Sequence, residues 1–204
     1  MTPPRTATVV TDETPAIPGF TRALLALCAL NFFMADVQAG IGPFLGVFLQ
    51  RHGRQAGPIG TVMTVGGIAG MLATIPAGAL IDYTTKKRLL VIVAALCTIS
   101  ASLLLLSSQS VAVVTVSQLA TALAGAGIGP VMAGITLGIV RQKGLNTQIG
   151  SNQAWNHAGN MAGAGLSGWL GWQVGLSAIF FLEVVFGPFP ISAVLMIPEK
   201  HNDH

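Results

Sequence analysis

The stretch "ADVQAGIGPFLG", Ala35 to Gly46, carries the tetrapeptide GIGP, and "LAGAGIGPVMAG" writes it again from Gly127 to Pro130. Each copy weakens a helix. Proline lacks the backbone donor and clashes with the preceding turn, and glycines admit a close neighbour. Both copies sit inside long apolar segments, so the phrase marks matching weak points in two helices. With 25 glycines and 11 prolines in the chain, coincidence is the competing explanation. The flanks support a repeat only in part: Ala39 aligns with Ala126 and Gly46 with Ala133, but Asp36 aligns with Leu123.

Working outward from these copies, hydrophobic residues make up 52% of the 204 residues and charged ones only 8%, against about a quarter charged in soluble domains. The mean hydropathy is +0.70. Such a chain is an integral membrane protein. A hydrocarbon core of about 30 Å needs roughly 20 helical residues, and six runs meet that: 22–49, 59–81, 89–107, 111–139, 150–172 and 175–197. The GIGP copies fall in the first and fourth. An offset of three spans inserts them in opposite directions, which makes the expected fold an all-α bundle of six transmembrane helices in two inverted three-helix repeats. Residues 1–19, with four prolines and no apolar core of a signal peptide, read as a disordered tail. The bundle occupies 20–198, and 199–204 read as a tail or the start of a connector.

Threading six spans puts Arg5, Arg22, Lys86, Lys87, Arg88, Arg141, Lys143 and Lys200 on one side and only Arg51 and Arg54 on the other. By the positive-inside rule both termini are cytoplasmic, in what is expected to be a bacterial inner membrane. No basic, aromatic-interleaved patch suited to nucleic acid is present. Cys28 and Cys97 fall within spans and read as small buried hydrophobes. No metal-ligand spacing or cofactor fingerprint appears.

Between the second and third spans the chain reads "GALIDYTTKKR", Gly78 to Arg88. This resembles the loop signature of the major facilitator superfamily: Gly78, Leu80, Asp82, Lys86 and Lys87 match, while Tyr83 replaces a usual basic residue and Thr85 a usual glycine. The resemblance implies a gating loop of Gly78, Asp82, Lys86, Lys87 and Arg88, in which the carboxylate latches onto a helix N-terminus. It further implies one six-helix half of a twelve-helix transporter, with "EKHNDH" after Pro198 opening a connector. A homodimer, a split gene and a truncated product are equally compatible. An arginine common in the fourth helix of the family's proton antiporters is absent, since Thr121 and Leu123 hold the candidate places.

An ionisable group at the bilayer centre costs at least about 2.5–3.5 kcal/mol, so Asp36, His157 and Glu183 are candidate functional residues. Asp36 is flanked by Asn31 and Gln38 and precedes the hinge of Gly40, Gly42 and Pro43; its counterpart is Gly127, Gly129 and Pro130. In "SNQAWNHAGN", Asn152, Asn156 and Asn160 share one helical line, with Gln153 and His157 beside it. The same side continues through Gly163, Ser167 and Gly171, so one face is polar, then small. These residues either line a wet cavity or tie the bundle together.

The expected function is proton-coupled export of a small solute by alternating access, through a cavity lined by the first, fourth and fifth helices. The expected partners are that solute, protons, membrane lipid and a second six-helix half or homodimer. A six-helix membrane partner that transports nothing is the alternative. "GLSG", Gly165 to Gly168, resembles the nucleophile motif of rhomboid proteases, but the sixth span has no histidine to activate Ser167, and His157 lies roughly 15 Å along the same helix. No enzyme is expected.

Overall fold

The computed structural model describes residues 18–39, 42–84 and 86–197, with the side chains of 18–21, 36–39, 42, 43 and 82 outside that description. Of the expected tails, residues 1–17 of 1–19 and all of 199–204 lie outside the described residues, as do the hinge residue Gly40 and the side chains of Asp36, Gln38, Gly42, Pro43 and Asp82; residues 18 and 19 open α1. All described elements are α-helices: α1 (Pro18–Ala39), α2 (Gly42–Arg51), α3 (Ala56–Tyr83), α4 (Lys87–Ser107), α5 (Val111–Gln173), α6 (Ser177–Phe186) and α7 (Pro188–Leu195).

Among the described residues, four stretches are long and apolar enough to cross a membrane: Ala56–Ile81, Lys87–Ser107, Val111–Gln173 and Ser177–Leu195. The expected first span holds α1, described to Ala39, and α2, described from Gly42; Gly40 and Ile41 of the first GIGP copy lie outside the described residues. The last stretch is interrupted at Gly187, where Pro188 and Pro190 withhold amide hydrogens from the ladder.

A straight helix of 63 residues would be about 95 Å long, three times a hydrocarbon core. α5 is not straight. Arg141 leaves helical geometry with φ 56° and ψ −173°, and Asn152 donates a hydrogen bond to Thr136 at 2.8 Å. Those residues would lie about 24 Å apart along one axis, so α5 is a hairpin of two arms, 111–140 and 142–173. A loop was expected over 140–149; the structure corrects this. Only Arg141 departs from helical geometry, because "QKGLNTQIG", residues 142–150, contains no proline to stop a helix.

Two buried clusters give the direction of each element. One gathers early α1 (Leu27, Leu30), late α3 (Ile81), early α4 (Val91), the late first arm (Ile135, Ile139) and the far end of the chain (Val194, Ile197). The other gathers α2 (Phe48), early α3 (Ile59, Val62), late α4 (Leu105), the early first arm (Val114) and early α6 (Phe180). α1 with α2, then α3, α4 and the first arm of α5 therefore alternate in direction, and α6 with α7 runs like the first arm, from the second cluster to the first. Hydroxyls inside these helices return to the carbonyl four residues back, as at Thr98, Ser102 and Thr136, which hides them from an apolar surround.

Candidate functional site

The second arm of α5 meets α1 along its small-residue line. A Cβ on Gly159 would stand 2.1 Å from the Phe32 carbonyl oxygen and 3.1 Å from the Ala35 side chain, so the two backbones touch there. Gly163 and Ser167 continue the buried line, as the four-residue spacing dictates. The Ser167 hydroxyl has no hydrogen-bond partner among the described residues, and its place in this stripe is that of a small packing residue. Trp155, Met161, Leu166 and Trp169 face outward.

Where the stripe turns polar, a cavity of about 320 Å³ opens between α1 and both arms of α5. Asn31 lines it from α1; Gly125, Gly129 and Thr136 from the first arm; Asn152, Gln153 and Asn156 from the second. Asn31 and Asn152 are each only 7% exposed. Burying such amides is costly unless they are hydrogen-bonded, and the bonds are present. Gln148 donates to Asn152 Oδ1 at 2.9 Å, Asn152 donates to Thr136 Oγ1 at 2.8 Å, and Thr136 donates to the Met132 carbonyl at 2.7 Å. Asn160 donates to Asn156 Oδ1 at 3.1 Å, and Asn31 donates to the Leu27 carbonyl at 2.8 Å. Both polar atoms of the Asn152 side chain are thus engaged within the fold. The Asn31 carbonyl oxygen and the Asn156 amide hydrogens are not engaged by any hydrogen bond among the described residues, and both residues line the cavity.

Of the residues expected from sequence, Asn31, Asn152, Asn156 and Gly129 come together here, and Asn160 supports Asn156. His157 is exposed and outside the lining. Glu183 is elsewhere: on α6 and 4% exposed, it accepts a hydrogen bond from Ser102 of α4. Pro130 is half-buried within the first arm. Around the expected gating loop, Gly78 is half-buried and Lys86 is exposed as the residue preceding α4. Lys87 is 9% exposed, with its Cε 2.8 Å from where a Cβ on Gly134 would stand, so its stem runs across the first arm; Arg88 is half-buried. Thr136 and Gln148 were not anticipated. Thr136 is a lone hydroxyl in an apolar run, and Gln148 fell in the expected loop.

The descriptive model of the Major Facilitator Superfamily matches residues 25–203. Two uncharacterized MFS-type transporters, from Mycobacterium tuberculosis strains CDC 1551 / Oshkosh and ATCC 25618 / H37Rv, are each 38% identical to the chain over 184 residues. The alignments cover 90% of this chain and 44% of each relative. The chain thus spans less than half the length of the curated relatives it matches.

Proposed function

The chain belongs to the major facilitator superfamily, and from that premise we propose that it is one six-crossing half of a proton-coupled solute exporter. The crossings are α1 with α2, α3, α4, each arm of α5, and α6 with α7, counted as two inverted triplets. The antiparallel order of the buried clusters and the matching GIGP copies support the count. Arg22, Lys86, Lys87, Arg88, Arg141 and Lys143 lie at one end and Arg51 and Arg54 at the other; the crowded end is the cytoplasmic one. The membrane is a bacterial inner membrane, in keeping with the mycobacterial relatives.

The observation that carries the reading is the polar cavity, with its unengaged Asn31 oxygen and Asn156 amide hydrogens. A buried site with one acceptor and one donor recognises a small polar or amphipathic solute, and the matching face of a second half would complete it. Asp36 lies five residues beyond Asn31 on α1, about 7.5 Å along the axis, and is the proton-binding residue in this reading. Protonation and solute occupancy compete to set the balance of outward-open and inward-open states. The two GIGP segments are the hinges, and the loop from Gly78 to Arg88 latches the cytoplasmic side.

The test is solute movement by the complete assembly, reconstituted in liposomes under an imposed pH gradient and offered a panel of amphipathic cations and neutral solutes. Asp36→Asn is expected to abolish the pH-dependent component, and Asn156→Leu to weaken solute binding. Unaltered transport by Asp36→Asn removes the proton role. No transport of any panel member, with the second half present, favours the non-transporting partner.

A further inference from the structure

A second cavity, of about 440 Å³, lies on the other side of the first arm, walled by α3, α4 and that arm. Its lining is apolar throughout, Cys97 being the one residue with a heteroatom beyond the backbone. The Cys97 thiol is itself turned to the Ala120 carbonyl at 3.6 Å. A cavity of this size with an apolar lining invites hydrocarbon rather than a hydrogen-bonding solute. Its rim faces outward: Leu80, Val93 and Leu123 are 61%, 53% and 55% exposed, so the opening gives onto the outside of the bundle, where acyl chains are.

One end of the cavity lies toward the basic α3–α4 junction. From Leu90 to Cys97 it follows α4 for about 10 Å, and from Ala120 to Val131 it follows the first arm for about 16 Å, at 1.5 Å per residue. Leu80, Ile81, Leu90 and Val131 mark the end nearest the α3–α4 junction. One turn before Leu90 stands Lys86, exposed, with its carbonyl accepting from the Leu90 amide at 3.4 Å. Arg88 stands on the same turn, and the positive end of the α4 dipole adds to the field. An apolar slot about 10–16 Å deep with cations at its head-group end complements one kind of molecule.

We propose that the cavity binds one acyl chain of an anionic phospholipid, whose phosphate is held at Lys86 and the start of α4. The site is separate from the solute cavity, yet shares a wall with it. Gly129 of the second GIGP copy lines the polar cavity, Gly127 lines the apolar one, and Ile128 lines both. A lipid seated there bears on the hinge from behind. The proposal requires neither transport nor a second half, so it stands or falls apart from the reading above.

The experiment uses the full chain, delipidated in mild detergent and titrated with dioleoyl phosphatidylglycerol or dioleoyl phosphatidylcholine. Bound lipid is counted by native mass spectrometry, and the thermal unfolding midpoint is followed in parallel. Phosphatidylglycerol is expected to be retained more tightly and to raise the midpoint further. Lys86→Gln is expected to weaken its retention about fivefold, the worth of one lysine at a lipid surface. Ala124→Leu and Ala77→Leu, which narrow the slot from opposite walls, are expected to lose retention of both lipids. Glycerol 3-phosphate, a free source of the same anion, is expected to shift nothing. Equal retention of the two lipids by the unmodified chain, full retention of the difference by Lys86→Gln, or a shift with glycerol 3-phosphate matching that with phosphatidylglycerol overturns the proposal. The lipid comparison and Lys86→Gln decide the matter even where a narrowing variant does not fold.

Discussion

Asn152 and Asn156 differ by one helical turn and have opposite duties. Asn152 spends its amide on a hydrogen bond from Gln148 and one to Thr136, tying the two arms together, whereas Asn156 keeps its amide hydrogens for the cavity. Interhelical hydrogen bonds in membranes average about 0.6 kcal/mol and reach about 1.7. Asn152→Leu is therefore expected to lower stability by about 1–2 kcal/mol, read as an earlier midpoint in detergent unfolding, and Asn156→Leu to leave that midpoint nearly unchanged. Equal effects would erase the distinction. The shared face of these residues was legible, because asparagines four apart must align on any helix; which one the fold consumes was not, since that depends on Thr136 arriving from the other arm. Arg141 was equally hidden. Its φ of 56° with ψ −173° belongs to a region used by glycine, at a cost of about 1–3 kcal/mol for other residues. Glycine's extra unfolded-state freedom offsets only about 0.5–1 kcal/mol, so Arg141→Gly is expected to raise stability by about 1 kcal/mol, measured in the same unfolding assay, with Arg141→Lys neutral.

Among the elements, the second GIGP copy was readable as a break, yet the first arm of α5 stays helical through Pro130. Its neighbours explain this: Ile128 and Val131 pack against the α1–α3–α4 core and hold the segment in line. Replacing Pro130 with alanine restores a donor toward the Ala126 carbonyl and removes the ring clash. The expected result is higher thermal stability with slower turnover of the complete assembly and unaltered solute binding; undiminished turnover would deny this segment a hinge role. The close approach of α1 to the second arm makes a sharper demand. At Gly159 even one methyl meets the Phe32 backbone, and overpacking costs typically about 1–3 kcal/mol. Gly159→Val is expected to reach or exceed the upper end, while Gly165→Ala, with open space at its Cβ position, gains stability from helix propensity. Glycine spacing alone could not have ranked these two.

For the molecule as a whole, charge and packing give the same answer by independent routes. The buried clusters fix which helix ends share a side, and on that geometry the cations of the α3–α4 junction and of the α5 turn fall together, opposite Arg51 and Arg54. Hydropathy made the all-helical architecture legible, since apolar runs of about 20 residues match a helix crossing the hydrocarbon core rather than the short alternating strands of a barrel. It could not foresee the merging of the fourth and fifth runs into one hairpin, because the turn there is a single residue. The orientation follows from the charge count and is open to direct test. In a background with Cys28→Ser and Cys97→Ser, Arg54→Cys is expected to react with a membrane-impermeant maleimide added outside intact cells, and Lys86→Cys only after the cells are opened. Both positions are exposed, so reactivity reports sidedness rather than burial. The substitutions remove one cation from each end, and five described cations against one remain, which keeps the bias that orients the chain. Labelling of Lys86→Cys from outside would invert the protein, and with it the assignment of the latch, the lipid head group and the direction in which the polar cavity empties.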